Sequence, residues 1–212
     1  MIKKDINQND ILNLELLNIL DYNYIYSDKP IQRIIAKPTL ENSLPKLEIL
    51  KKKIEAIQNC DLKKNASKIV FGDGNIQSSI MIIGEGPGQK EDELGKPFVG
   101  DAGNLLNKML KAIKIERQKI YITNVVNYRP PNNRKPEHSE INRYSEYLKE
   151  HIAIIDPKIL ILMGSTAMEA ILGSNKKISK ERGQWKEVII GKKNYKVIVT
   201  FHPAYLLRKP DQ

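Results

Sequence analysis

Five short apolar runs recur from residue 79 onward: SIMIIG (79–84), KIYITNVV (119–126), KILILMG (158–164), EVIIG (187–191) and KVIVTF (196–201). Runs of this length, rich in Ile and Val, suit strands buried on both faces of a sheet. Helical patterns lie between them, over Ala102 to Ile113 with Asp101 as its N-cap, Glu137 to Ile155, and Ser165 to Leu172. Gly191 to Asn194 is expected to join the last two strands as a hairpin. Strands alternating with helices predict an α/β fold, a three-layer α/β/α domain around a central, mostly parallel sheet. In such a sheet, ligands bind at the C-terminal ends of the strands.

The front of the chain reads differently. Leu12, Leu16, Ile19 and Leu20 have helical spacing, and a Tyr- and Pro-containing stretch follows from Asp21 to Pro45. Residues 1–45 are therefore expected to form an N-terminal extension, helical and partly irregular, with the domain spanning 46–212. A second amphipathic helix is expected from Leu47 toward Cys60. Cys60 is the single cysteine, so the chain has no internal disulfide. The N-terminus carries acids and amides where a signal peptide needs an apolar run, and KILILM is far too short to span a bilayer. These features predict a cytoplasmic monomer with no membrane partner.

The stretch GEGPGQKEDELGKPFVGDAG (84–103) follows the first strand of the sheet and so lies on the ligand-binding rim. It gathers five acids in a chain with 35 Lys and Arg, 25 Asp and Glu and a net charge of +10, a balance that favours polyanionic partners. It lacks the GK[ST] of a phosphate loop, and GEGPGQ does not supply the GxGxxG of a dinucleotide-binding fold. Two further strand ends reach the same rim. KIYITNVV carries Asn124 and continues into RPPNNR (129–134), and KVIVTF leads to His202 in HPAYLLR (202–208). His138 and His151 sit in a polar helical pattern and are expected on the surface.

GEGPGQKEDELGKPFVGDAGNLL, TNVVNYRPPNNRKP and TFHPAYLLR resemble the three signature segments of the family 4 uracil-DNA glycosylases, in order and over about residues 50 to 210. The resemblance implies a uracil-glycosylase fold, DNA containing uracil as the partner, and monofunctional hydrolysis of the N-glycosidic bond in base excision repair. It implies Glu85 and His202 as catalytic residues, and Gly84, Gly86, Glu91, Phe98 and Asn124 as the uracil pocket. Asn124 would read the base, Phe98 would stack on it, and Glu91 would crowd the C5 edge against thymine. Gly100 and Gly103 at a helix start, with Arg129, Arg134, Leu206, Leu207 and Arg208, would hold DNA, the two leucines wedging into the base stack. The remaining acids, Asp92, Glu93 and Asp101, are expected to be solvated or capping.

The chain also departs from the family. Family 4 enzymes resemble one another in holding a 4Fe-4S cluster on four cysteines, and the aligned positions here are Ile57, Cys60, Tyr128 and Tyr144. Neither Ile nor Tyr replaces a thiolate, so no cofactor is expected. The third position of the first motif is Gly86, where family 1 enzymes carry a water-activating carboxylate. The chain ends at Gln212, where relatives continue into another helix, leaving truncation open. The alternative reading is a catalytically weak or inactive DNA-binding module built on the same groove.

Overall fold

The computed structural model describes residues 40–211. The helical pattern around Leu12 to Leu20 lies outside these residues. A compact unit spans Lys37–Gln212. Its first helix, α1, runs Leu40–Glu55 and carries Pro45 inside it, so the expected boundary at residue 45 falls within a helix. The Tyr- and Pro-containing stretch therefore gives way to helix already at Leu40. Ser43, Leu47, Leu50 and Ile54 bury one stripe of α1, and α2 follows over Asp61–Asn65.

Six strands form one sheet in the order β1-β3-β2-β4-β6-β5. They are β1 (Asp73–Gly74), β2 (Ile80–Gly84), β3 (Tyr121–Asn124), β4 (Ile159–Met163), β5 (Trp185–Ile190) and β6 (Lys193–Thr200). The four central strands are parallel, and β1 and β5 pair antiparallel at the two edges. The hairpin between β5 and β6 turns at Gly191 and Lys192, with Gly191 at φ +63. A glycine takes that left-handed conformation without the steric cost of a Cβ.

Helices cover both faces. Met81 and Ile83 of β2, with Leu160 and Leu162 of β4 and Val197 and Val199 of β6, pack into one core with α1 and α5 (His138–Ile155). Ile82 and Ile122 point the other way, toward Leu106 and Leu110 of α4 (Asp101–Ala112). Alternate residues of each strand thus feed opposite layers, as the pleat requires. Helix α5 forms because a capping box of Glu137 and Glu140 starts it and Ile141, Tyr144, Leu148, Ile152 and Ile155 line its buried side. Shorter helices follow the strands: α3 (Gln89–Leu94) after β2, α6 (Ser165–Leu172) after β4, α7 (Ile178–Glu181), and α8 (Pro203–Arg208) after β6.

Three residues differ from expectation. His151 is buried against the sheet rather than exposed, sharing a 2.9 Å hydrogen bond with the Tyr121 hydroxyl and stacking on Phe71. Asp92 is also buried, accepting hydrogen bonds from the backbone amides of Ser67 and Lys68 at 2.8 and 3.2 Å. A carboxylate spent on backbone amides ties α3 to the segment before β1, which a count of charges does not reveal. Asp101 is the first helical residue of α4, and Gly100 is the N-cap.

Candidate active site

The sheet order places β2 between β3 and β4, so the loops leaving these strands diverge and open a crevice at their C-terminal ends. A cleft of about 800 Å³ occupies it, lined by Glu85, Gly86, Glu91, Phe98, Asn124 and His202, among others. That volume accepts a nucleotide-sized ligand. Glu85 directly follows β2, Asn124 ends β3 opposite Gly84, and His202 follows β6. All three expected strand ends therefore meet.

Gly84 makes the meeting possible. A Cβ at this position would collide with Asn124 Oδ1 and stand 2.6 Å from the Phe98 ring. The missing side chain lets a reading amide and an aromatic face converge over one strand end. Gly86 has a similar part, since its Cβ would stand 2.7 Å from Val126.

Phe98 sits in a strap, residues 97–100, that is gripped from several sides. Its own φ is +54, a left-handed conformation that a bulky residue holds only when its surroundings impose it. Arg117 donates to the Pro97 carbonyl at 2.6 Å and the Phe98 carbonyl at 3.0 Å, and it pairs with Asp73 at 3.3 Å. The Glu91 carboxylate accepts from the amides of Val99 at 2.9 Å and Gly100 at 2.7 Å. Gly103 completes the grip, because any Cβ there would run into the Phe98 carbonyl. Gly100 and Gly103, expected to offer their backbone to DNA, are instead buried. The Gly100 amide is bonded to Glu91, and the bare Cα of Gly103 lets the Phe98 carbonyl pack against it. Arg117 was not legible in the sequence, since it lies in no motif.

The His202 ring lies 5.5 Å from the Phe98 ring, inclined by 28°. Its Nδ1 accepts from the Ala204 backbone amide at 3.1 Å, which leaves Nε2 as the protonated nitrogen of the neutral ring. Burial holds the imidazole pKa below its usual value, partly opposed by the Glu85 charge. The ring is thus a neutral donor. Glu85 Oε2 accepts from the Thr166 hydroxyl at 2.5 Å. A fourth strand end, that of β4, therefore contributes through GST (164–166), which joins the expected strand KILILMG to the expected helix from Ser165 and carries no site motif.

The outer rim is partly as expected. Arg208 is exposed at the end of α8 and lines the cleft, and Leu207 is 51% exposed beside it while Leu206 is half-buried. Arg129 is half-buried and donates to Asn133 at 2.7 Å. Arg134 also lines the cleft, but both of its terminal nitrogens bond Glu140, at 2.8 and 2.7 Å. That bidentate pair lowers the Glu140 pKa and takes up the fork that a phosphate would use.

At the aligned cluster positions, Ile57, Cys60, Tyr128 and Tyr144 are all buried in the same core. Cys60 Sγ lies 3.4 Å from the Tyr144 hydroxyl. Burial pushes the Tyr128 phenol up to about 12 and raises that of Tyr144 further, so neither is an anion near neutrality. One thiol, two neutral phenols and an alkyl chain do not fit a four-iron cluster. Among the described residues no other group of acidic, histidine or cysteine side chains is arranged to hold a metal.

The sequence comparisons agree with this geometry. The family model described as "Uracil DNA glycosylase superfamily" matches residues 71–212. A type-4 uracil-DNA glycosylase of Thermotoga maritima is 42% identical over 163 residues, covering 76% of this chain and 83% of that protein. One from Archaeoglobus fulgidus is 38% identical over 169 residues, 78% of this chain and 85% of its own length. One from Pyrobaculum aerophilum is 39% identical over 168 residues, 76% and 86% respectively. With strand order, cleft and matched segments in accord, this chain belongs to the uracil-DNA glycosylase superfamily, within its type-4 branch.

Proposed function

We propose that this chain flips uracil out of DNA and hydrolyses its N-glycosidic bond, leaving an abasic site for base excision repair. One observation carries the reading: Asn124, Phe98, His202 and Glu85 line a single cleft, although they come from three separate segments of the chain. Breaking the bond between N1 and C1′ sends an electron pair onto the base and leaves the sugar oxocarbenium-like, so help is needed at both ends. The Nε2–H of His202 donates to uracil O2 as negative charge grows there. The Glu85 carboxylate stabilises the sugar cation and orients the water that adds to C1′.

Asn124 gives the site its selectivity. Its amide donates to uracil O4 and accepts from N3–H, a pattern that cytosine reverses. Phe98 stacks on the flipped base, while Gly84 lets Phe98 and Asn124 converge beside it and Gly86 lets the loop pack against Val126. Glu91, held by the strap amides, stands on the cleft wall where the C5 methyl of thymine would intrude. Arg208, Arg129 and the neighbouring lysines attract phosphates, with Arg134 secondary because of Glu140, and Leu207 fills the space vacated by the base with Leu206 behind it. All of these residues belong to one chain, so a monomer suffices, acting on cytoplasmic DNA. The protein works without an iron-sulfur cluster, its place taken by the packed Ile57, Cys60, Tyr128 and Tyr144 side chains.

The test is an end-labelled oligonucleotide carrying one uracil. A break that appears only after alkali is expected. Scission before alkali would overturn the monofunctional assignment, and no break after alkali would overturn the function.

A further inference from the structure

Glu85 hangs from the end of β2 on a side chain with three rotatable bonds, yet a catalytic carboxylate needs one position. The first turn of α6 supplies the missing constraint. Strands β2 and β4 are paired neighbours, Ile83 opposite Leu162, so the chain leaving β4 passes close to the chain leaving β2. Thr166 lies there, fully buried, with its hydroxyl 2.5 Å from Glu85 Oε2.

We propose that Thr166 is a positioning residue for Glu85, tying one carboxylate oxygen to the start of α6 so that the other stays aimed into the cleft. This inference rests on the uracil-excision reading. A hydroxyl has a single proton to donate. A buried threonine in a helix commonly gives it to a carbonyl one turn back, whereas here it goes to a carboxylate 81 residues away in sequence. A hydrogen bond to an ionised acceptor is the stronger kind. The same turn supports the second catalytic group, because Gly164, at φ +92, lies against His202, where a Cβ would come within 3.1 Å of the histidine Cβ. The end of β4 therefore seats both catalytic side chains.

The experiment compares full-length wild type with Thr166→Val, Thr166→Ser, Glu85→Gln and the Glu85→Gln/Thr166→Val double variant. Single-turnover uracil release, affinity for uracil-containing DNA and melting temperature are measured for each. Thr166→Val keeps the shape and loses the donor, so release should slow roughly ten- to hundredfold, as for loss of a hydrogen bond to a charged group. DNA affinity should stay within about twofold of wild type, and Thr166→Ser should restore most of the rate. In the Glu85→Gln background the valine should cost nothing more, because its effect runs through Glu85.

Wild-type release by Thr166→Val, an equal loss in Thr166→Ser, or a further loss in the double variant would overturn the proposal while leaving the excision reading intact. A wild-type protein that released no uracil would instead overturn the excision reading, and this inference with it.

Discussion

At Gly84 a hydrogen in place of a methyl decides whether the site exists. Gly84→Ala would drive a Cβ into Asn124 and the Phe98 ring, overpacking that costs about 1–3 kcal/mol at such contacts. Uracil release should fall at least about tenfold while the fold survives, read by single-turnover kinetics beside circular dichroism. His202 carries a second prediction. Its ring is kept neutral by burial, and protonation would place an Nδ1–H against the Ala204 amide. The rate should therefore not climb as pH falls from 8 to about 6, and it should drop once pH passes below the depressed pKa. A rate rising steadily on acidification would point to an imidazolium acid instead. Gly84, Asn124 and His202 were legible because each sits at a strand end within a motif. Thr166 and Arg117 were not, since each acts through one contact with a residue far away in the chain.

Among the elements, five of the six strands of the sheet were readable from apolar runs to within a few residues, because a buried parallel sheet leaves little freedom in composition, whereas the two-residue β1 is too short to show a pattern. The short helices α2, α3, α7 and α8 were not, as four to six residues carry no periodicity. Pro45 concealed the start of α1 by reading as a breaker, though the helix runs through it. The joint between α2, the RPP segment and α5 holds the positions where the resemblance implies cluster cysteines. In place of thiolates it has Cys60 against Tyr144, with Ile57 and Tyr128 in the same core. Burial of such side chains contributes about 1.5–3 kcal/mol each, enough to hold three elements together. Protein purified anaerobically should be colourless and carry no stoichiometric iron. About four irons per chain with broad visible absorption would contradict this account.

The molecule as a whole should be sensitive to acid for a reason visible in its core. His151 is fully enclosed and its pKa is pushed down to about 3 by burial, so the unfolded chain binds a proton that the folded one refuses. Its contribution is complete above about 6.5 and is lost as pH falls, at a rate approaching 1.4 kcal/mol per pH unit down to about 3. Denaturant titrations between pH 7 and 4.5 should show a shallower loss for His151→Gln than for wild type. An identical slope would remove His151 as a cause. Net charge acts at the same scale. With +10 overall, DNA affinity should fall steeply with salt. Arg208→Ala should lower the slope of log affinity against log salt by about one, and Arg134→Ala by less, because Glu140 already holds that guanidinium.

The central claim is that this cleft recognises and releases uracil through Asn124. It is tested most directly by single-turnover release from matched oligonucleotides that carry uracil, thymine or cytosine at one position, with wild type and Asn124→Asp side by side. Wild type should release uracil and leave thymine and cytosine in place. Asn124→Asp should lose at least about a hundredfold on uracil, the scale of a mispaired polar reader. Uracil left untouched by wild type, or released undiminished by Asn124→Asp, would contradict the account.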